Sequence, residues 1–409
     1  MKDADTMVLP RLGPGETGVE DPWDEDIAPR GGPAPGLSGS GRRRWRVAAW
    51  LVPALLMGVL GALRLGGTGR RADELPAWRA ARAPWPDDWT VLYRDVDAVT
   101  PYHLLIRAWA GLVGTSEPAL RVPSLLAMIA AAALVGAVAA RVFTPGAGIL
   151  AGTLLALLPT ASRAAGEAQP YPLVLLAAVL ATGALLAALD RPGRWRFVGY
   201  GGAVLVLGLS HPVALLLLAA HGWTVLALRR RVAGRWLAAA ALGALPGAGL
   251  LWLAVRAGGR IGPLARPGLD ALAAAPGVLF GVAALGAVLL GLALFSLPLR
   301  YPGAVFTAWA VVPPLLLLLV AQATPAWSAP VLLFTLPAWA TLAAAALSRV
   351  RARWSVPVLA VIALIGAPAP LDGRTGDGPA RAVGHPAEVT AGWPPEAGRP
   401  APYPPTTAR

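Results

Sequence analysis

Carboxylates crowd into one polar stretch of this chain, between Arg70 and Pro123. Ten acidic residues lie between the first and the last long apolar runs, and seven of them fall in this stretch. These seven are Asp73, Glu74, Asp87, Asp88, Asp95, Asp97 and Glu117. Because an unpaired carboxylate costs several kcal/mol or more to bury in hydrocarbon, the stretch must fold over a bilayer surface. Its place between two apolar runs predicts the roof of an active site.

Asp73 and Glu74 directly follow the first apolar run. An aspartate at a membrane surface can take a proton from an acceptor hydroxyl, and a neighbouring glutamate can orient it or bind a cation. The same pair also suits the start of a short surface helix at Leu75 and Pro76, since acidic residues and proline are common at helix starts. Spacing alone leaves both functions open.

Composition identifies a polytopic membrane protein. Of 409 residues, 56% are hydrophobic and only 14% are charged, with a mean hydropathy of +0.59. Several Leu/Ala/Val/Gly runs approach the roughly 20 residues that span a bilayer as a helix. The net charge of +13 comes mostly from arginine clusters at the ends of these runs, which indicates membrane topology rather than nucleic-acid binding. The absence of cysteine excludes disulfides and thiolate metal sites.

Eleven apolar runs predict membrane helices in an all-α fold. The predicted helices cover residues 47–65, 121–142, 146–160, 171–189, 197–210, 212–228, 236–255, 276–297, 303–321, 331–347 and 355–368. Arginine clusters recur at alternate turns, and these clusters are Arg141, Arg191 to Arg196, Arg229 to Arg235, Arg300 and Arg349 to Arg353. The positive-inside rule then places the N-terminus in the cytoplasm and the acidic loop outside. Nine of the ten acidic residues lie outside, and Asp190 alone lies inside.

The predicted domain organisation has three parts. Residues 1–41, with eight acidic residues among many glycines and prolines, form a disordered cytoplasmic tail. Residues 42–368 form the membrane domain, in which residues 70–120 are an extracytoplasmic catalytic loop. Residues 369–409, rich in proline and glycine, form a disordered extracytoplasmic tail.

Three common classes of chemistry lack their sequence signatures. The chain has no P-loop pattern, no GxGxxG after a strand and no HExxH, so nucleotide-driven and zincin chemistry have no support. Inverted halves with matched broken helices are also not evident, which weakens a secondary-transporter interpretation.

Four motifs, taken in order, resemble a known family. They are the Asp73–Glu74 pair, DVDAVTPYHLLIRAWAGLVGTSEPALRVPSLLA from Asp95 to Ala127, SRAAGEAQPY from Ser162 to Tyr171, and GLSHPVALLLLAAH from Gly208 to His221. Together they resemble an actinobacterial family-39-type glycosyltransferase, a membrane enzyme of the GT-C class similar to protein mannosyltransferases and lipid A aminoarabinose transferases. The resemblance runs from about Arg43 to Arg353 and implies a GT-C fold located in the plasma membrane.

The resemblance also implies roles for particular residues. In that class the first outer loop supplies a catalytic aspartate, a second acidic site follows, and the donor is a sugar on a polyprenyl phosphate. By this likeness Asp73 takes the catalytic place, Glu74 is its companion, and Asp97 takes the second acidic position. Nucleotide is not required, because the donor is a lipid.

This chain departs from the family pattern at three places. The tyrosine pair after the DAV motif reads Tyr102 and His103. The usual QEARPY reads Gly166 to Tyr171, GEAQPY, so Gln169 replaces the arginine that would bind donor phosphate. The RY before the FxxP element is replaced by Pro330 and Val331, ahead of Phe334 and Pro337. A weakened or divergent enzyme stays possible on these grounds.

The remaining polar candidates each have two interpretations. Glu167 is either part of the site or a solvated loop charge, His211 either joins the carboxylates or binds phosphate, and His221 is an interior histidine. Arg121 either binds phosphate or pairs with Glu117 four residues earlier. The candidates for donor or metal binding are Asp97, Glu167, His211, Arg121, His103 and Tyr171, and the metal candidates among them are Asp97, Glu167 and His211.

The function expected from this reasoning is extracytoplasmic sugar transfer, with mannose or a similar sugar. Asp73 deprotonates the acceptor, whose hydroxyl attacks the anomeric carbon with inversion, and arginine, histidine or a divalent cation (Mg²⁺ or Mn²⁺) stabilises the leaving phosphate. The acceptor is an unidentified glycan, lipid or protein of the cell envelope, and nucleic acid is not a partner. The alternatives are a transporter or flippase for a polyprenyl-linked lipid, and a non-catalytic protein of the same fold.

Overall fold

A computed structural model describes residues 39–66, 74–82, 101–256, 269–323, 329–349 and 359–360. These residues all belong to the first of two units, Met1–Ala367, and none to the second, Pro368–Arg409. The two predicted tails, except for residues 39–41, and most of the last predicted helix lie outside the described residues. Asp73 and Asp97 also lie outside them.

Every regular element of the described chain is a helix. The α-helices are α1 Gly39–Leu65, α2 Leu75–Arg82, α3 Pro101–Val113, α4 Glu117–Val142, α5 Pro145–Leu157, α6 Pro159–Ala165, α7 Tyr171–Asp190, α8 Arg194–Ser210, α9 Leu217–Leu228, α10 Ala233–Arg256, α11 Leu269–Phe280, α12 Ala283–Leu294, α13 Ala304–Ala323 and α14 Leu336–Leu347. Three 3₁₀ helices join them, and these cover Pro212–Leu216, Arg230–Val232 and Ala329–Thr335.

The helices confirm an all-α polytopic membrane protein. Within the described residues, six helices are long and apolar enough to cross a bilayer, or eight spans if each of two bent helix pairs counts as one. Ten of the eleven predicted runs contain helices, but fewer than eleven are straight, full-length spans. α5 and α6 bend by 71° and α11 and α12 by 91°, so the predicted runs 146–160 and 276–297 are broken elements.

The two bent pairs meet at their breaks. Proline at position 159 ends α5 because it has no N–H to continue the helix. Gly281 interrupts the other pair at a φ of 89°, and a Cβ there would lie 2.7 Å from Pro159 Cβ. Across this contact the hydroxyl of Thr160 donates a hydrogen bond of 2.7 Å to the carbonyl oxygen of Leu279. The breaks therefore form one joint.

Small residues bring α1 against α4 and α5. A Cβ on Gly136 would lie 1.9 Å from Ala49 O, and one on Gly148 would lie 2.4 Å from Gly136 O. Without side chains at these positions the three backbones approach closely, which is how membrane helices commonly pack in the absence of a hydrophobic driving force. The packing fixes where α1 ends, at Leu65, relative to the start of α4.

A polar network ties α7, α8, α9 and α10 together around His221, which is fully buried as predicted for an interior histidine. Trp236 Nε1 donates to Tyr200 Oη at 3.0 Å, and Tyr200 lies 3.1 Å from His221 Nδ1. Thr182 Oγ1 lies 3.2 Å from His221 Nε2 and donates to Ala178 O. Since that hydroxyl proton is used, His221 must donate from Nε2 and accept at Nδ1. Each side-chain donor of the network then has an acceptor.

The course of the chain separates two ends of the bundle. The site end comprises the C-terminus of α1, the starts of α4 and α7, and the segment Gly166–Pro170 between α6 and α7. The arginine end comprises the C-termini of α4, α7 and α9, the start of α8 and the connection between α12 and α13. Acidic motif residues gather at the first end and arginine clusters at the second.

Candidate functional site

A buried ion pair lies at the centre of the site end. Arg121 donates from Nε to Glu74 Oε1 at 2.8 Å and from Nη2 to Glu74 Oε2 at 2.7 Å. The exposed fractions of the two side chains are 5% and 6%. Two parallel N–H donors matched to a carboxylate form the strongest common ion-pair geometry. A pair so enclosed fixes the relative position of the elements that carry it.

Those elements are three separate parts of the chain. Glu74 immediately precedes α2, and Arg121 lies in the second turn of α4. Arg121 Nη1 also donates to Leu65 O, the last residue of α1, at 3.1 Å. One guanidinium therefore joins the end of α1, the start of α2 and the start of α4. Asp73 is covalently next to Glu74, so this anchor also sets where the chain passes Asp73.

The GEAQPY segment packs onto the same anchor. Ala168 donates its backbone N–H to Glu74 Oε1 at 2.9 Å, and Ser124 Oγ donates to Gln169 O at 3.3 Å. Gly166 presses against α1, where a Cβ would lie 2.6 Å from Arg64 Cβ. A glutamine at this position, as in the family pattern, would therefore require α1 to move. Glycine permits the close contact.

Gln169 and Glu167 are bound to each other. The amide Nε2 of Gln169 donates to Glu167 Oε2 at 3.0 Å, and both side chains are buried. The interpretation of Glu167 as a solvated loop charge is therefore wrong. At the position where the family has arginine, a neutral amide binds the glutamate, so this chain builds the segment with one positive charge fewer.

α3 brings a second set of polar side chains to this end. Tyr102 and His103 are both buried, with their rings edge to face at a centroid distance of 5.5 Å. Burial, aided by the nearby positive charge of Arg107, lowers the pKa of His103 to about 4. Burial also raises the pKa of Tyr102. At neutral pH the two rings are therefore neutral hydrogen-bonding groups.

Two clefts adjoin the ion pair and differ in character. A narrow space of about 10 Å³, room for one water molecule, is lined by Glu74, Trp78, Glu117, Leu120, Arg121 and Ala168. An open apolar groove of about 290 Å³ lies between α3, α4 and α7. Its lining residues are Leu105, Trp109, Pro123, Leu126, Ala127, Leu173 and Leu176. We call this second space the apolar groove.

The structure corrects the expected partner of Arg121. Its bidentate partner is Glu74, 47 residues earlier, rather than Glu117. The positive charge of Arg121 is still felt by Glu117 and Glu167, which lie near enough to interact with it electrostatically. A sequence search for helix-spaced pairs finds Glu117 because it lies one turn away, and it cannot find a pair formed by folding.

The other predicted site residues occupy defined places. Tyr171 is the first residue of α7, and His211 lies where α8 ends, on the same end of the bundle. His211 Nδ1 accepts a hydrogen bond from Val213 N–H at 3.2 Å and so caps the 3₁₀ helix that follows. Within the described residues, no three His, Asp or Glu side chains gather closely enough to hold a metal ion. Of the proposed metal candidates, Asp97 lies outside that part of the chain.

Residues that sequence reasoning missed complete the site. Ser124 and Gln169 hold the GEAQPY backbone, and the indole of Trp78 lines the narrow cleft. Arg82 stacks over the Trp78 ring at 3.3 Å from its centroid. Only the RVPS motif hinted at Ser124, since a serine inside an apolar helix start is a polar group that needs a partner.

Comparison with solved structures identifies the fold. ArnT from Cupriavidus metallidurans, in a crystal structure with bound undecaprenyl phosphate, is similar over 80% of this chain with a TM-score of 0.54 and 17% sequence identity. The chain spans 64% of the ArnT chain. No family model matches the sequence, and no curated protein matches it. The described helices therefore have the GT-C membrane fold that the motifs predicted.

Proposed function

We propose that this protein transfers a sugar from a polyprenyl-phosphate donor to an acceptor outside the cytoplasm. The observation that carries the proposal is the anchor at the site end of a GT-C fold. There the buried Glu74–Arg121 pair holds the acidic first loop against the GEAQPY segment. A carboxylate-rich loop fixed at a membrane surface is where a lipid-borne sugar and a water-borne acceptor can meet.

The apolar groove supports a lipid donor. It lies beside the ion pair, since Pro123, in its lining, is two residues from Arg121. An open groove lined only by apolar side chains suits a hydrocarbon chain, while the adjacent polar cluster suits its phosphate. The similar ArnT structure contains undecaprenyl phosphate. A polyprenyl phosphate is therefore the lipid class that we propose for this chain.

In the proposed reaction Asp73 acts as the general base. It takes the acceptor's hydroxyl proton, the oxygen attacks the anomeric carbon, and the polyprenyl phosphate leaves as an anion with inversion at that carbon. The leaving phosphate is already charged, so no general acid is needed. Glu74 has both oxygens occupied by Arg121 and Ala168, which favours a role in positioning Asp73.

Cation requirements form a separate part of the proposal. Stabilising the leaving phosphate takes fixed positive charge or N–H donors, and a Mg²⁺ or Mn²⁺ ion is one such source. Carboxylate oxygens are the usual ligands of these ions, so Asp97 and Glu167 are the proposed ligands, with His211 as a third. Mannose is the proposed sugar, by likeness to the mannosyltransferases.

The rival function is transport of a polyprenyl-linked lipid. A transporter of this kind is expected to place charged groups near the bilayer midplane. In the described chain the interior network around His221 contains no carboxylate or guanidinium, and the Glu74–Arg121 pair lies at helix ends. This distribution favours the transferase.

The decisive experiment is transfer with purified full-length protein in lipid nanodiscs. A panel of radiolabelled polyprenyl-phosphate sugars, beginning with mannose, is incubated with cell-envelope extract, with and without a chelator. Transfer of label to the extract, together with release of polyprenyl phosphate, is expected for at least one donor. Movement of the intact lipid across vesicles, without transfer from any donor, would instead establish the transporter.

A further inference from the structure

A second polar cluster lies at the arginine end, away from the proposed site. The carboxylate of Asp190, at the end of α7, binds Arg141 through one oxygen and the hydroxyl of Tyr301 through the other. The guanidinium of Arg229 lies over the Tyr301 ring, 4.6 Å from its centroid. Four separate parts of the chain thus contribute one side chain each.

The cluster carries more positive than negative charge. Arg141 and Arg229 supply two guanidinium groups, whereas Asp190 supplies one carboxylate, and that carboxylate already binds Arg141. The sequence has no other acidic residue between Glu167 and Asp270, and none from there to Asp372. The Nε of Arg229 is buried and has no hydrogen-bond partner within the described residues. One fixed cation is therefore left without a neutralising group there.

The position of Arg229 is set by its neighbours. Arg141 holds Asp190, Asp190 holds the Tyr301 hydroxyl, and the Tyr301 ring supports the guanidinium. An arginine stacked on an aromatic ring keeps the edge of its planar group free to donate parallel N–H bonds, the geometry that suits a phosphate. Ordinary surface arginines lack such support and pay more entropy to bind.

Other side chains place this cluster at headgroup depth. Trp195, near the start of α8, is 72% exposed, and tryptophan is enriched at the membrane–water interface. Arg194 lies over its ring at 5.4 Å. Arg196 donates to Ala187 O at 2.7 Å and so completes the end of α7. The nearest abundant anions at this depth are the phosphodiesters of membrane lipids.

We propose that Arg229, supported by Tyr301, binds the phosphodiester headgroup of an anionic phospholipid at the arginine end of the bundle. The site is independent of sugar transfer. It differs from the diffuse attraction of basic clusters to an anionic leaflet because one arginine, held by a ring and a carboxylate, should account for most of the selectivity.

The test uses the full chain in nanodiscs of phosphatidylcholine, with or without phosphatidylglycerol. Thermal unfolding and native mass spectrometry measure stabilisation and retained lipid. We expect phosphatidylglycerol to raise the unfolding temperature of the wild type and to bind Arg229→Gln about tenfold more weakly, the effect of losing one charged hydrogen bond. Arg194→Gln is the matched control, an exposed arginine at the same end, and should keep near wild-type affinity.

Additional arms make each outcome decisive. Tyr301→Leu keeps every charge but removes the ring, so it should weaken binding as Arg229→Gln does, and it serves if that variant does not fold. Equal losses in Arg229→Gln and Arg194→Gln would show diffuse attraction and overturn the proposal. So would a matching stabilisation by inorganic phosphate at the same concentration. An Arg229-dependent effect seen only when residues 1–38 are deleted, and not with lipid, would make that acidic segment the occupant and also overturn it.

Discussion

Glu74 and Arg121 are 47 residues apart in sequence and meet as a bidentate, buried ion pair. The pair also receives the backbone N–H of Ala168 and reaches the last carbonyl of α1. Four chain segments that share no continuous helix thereby meet at two side chains. The position of the acidic loop is therefore a property of tertiary folding and not of its own short helices.

Removing one member of this pair should be costly. Arg121→Met leaves the Glu74 carboxylate buried without its cation, and such a change typically destabilises a protein by about 3–5 kcal/mol. We expect a correspondingly lower unfolding temperature in detergent. Glu74→Gln should cost less, because the amide keeps the shape and can still accept from Ala168 N–H.

The double variant Glu74→Gln/Arg121→Met tests whether the two residues act together. Its loss should be smaller than the sum of the single losses, since the second change removes an already unpaired group. Asp270→Asn, at an exposed carboxylate, is the control and should change stability by no more than about 0.5 kcal/mol. Additive losses would show that the pair contributes no coupling.

Asp73→Asn should abolish sugar transfer while expression and folding persist. Asparagine keeps the size and helix-capping ability of aspartate but cannot accept the proton, and a general base contributes about 10²- to 10⁴-fold in rate. Initial rates per folded protein, with polyprenyl-phosphate mannose as donor, measure the effect, and Glu74→Gln should lower them less. Activity within about threefold of wild type, under roughly 0.7 kcal/mol, is too small a change for a base.

His103 should make stability depend on pH. Its pKa is lowered from 6.5 to about 4 by burial and by Arg107, so the folded protein resists protonation. Above pH 6.5 the imidazole is neutral in both states and its contribution is complete. As the pH falls from 6.5 towards 4, the unfolded chain takes up the proton first and stability is lost, by at most about 3 kcal/mol.

Thermal unfolding of wild type and His103→Gln across this pH range measures that contribution. The wild type should lose stability more steeply than the variant between pH 6.5 and 4. Parallel curves would show that another group governs the acid response.

Tyr200→Phe should destabilise the bundle through the His221 network. The change removes the donor to His221 Nδ1 and leaves the buried Trp236 N–H without its acceptor, at a cost of about 1–3 kcal/mol for each unsatisfied group. Ser210→Ala removes an exposed hydroxyl at the end of α8 and is the matched control. Comparable unfolding temperatures for the two variants would mean that the network contributes little.

Cysteine labelling tests the topology without background, because the natural chain contains no cysteine. Alternating arginine clusters predict that Ala83 and Ala380 both lie outside the cell. Ala83→Cys and Ala380→Cys should therefore react with an impermeant maleimide in intact cells. Protection of Ala83→Cys, with labelling only after lysis, would reverse the proposed orientation.

Local sequence signals predicted the helices well and their breaks poorly. Apolar runs located α4, α7 and α13 to within a few residues, because membrane helices satisfy their own backbone and depend little on neighbours. The 71° bend before α6 follows from Pro159, which is visible in the sequence, but the run was still interpreted as one helix. Composition within an apolar run does not reveal where its direction changes.

The site was predicted by residue type more than by contact. Motif order led to Glu74, Arg121 and Glu167, and the structure brings these three to one end of the bundle. The partner of Arg121 and the burial of Glu167 depend on the packing of α1 against the GEAQPY segment. Such packing is set by distant small residues such as Gly166, which carry no chemical signature of their own.

The joint between the two bent helix pairs constrains how the protein is made. Thr160 and its partner carbonyl at Leu279 are 119 residues apart, so the ribosome delivers the first break long before the second. Until α11 arrives, the hydroxyl of Thr160 lacks that acceptor and Pro159 lacks the Gly281 backbone that packs on it. The first bent pair therefore enters the membrane as an unfinished element that its own later sequence completes. A chain truncated before Leu269 should be recognised by membrane quality control even though α1 to α10 are all present.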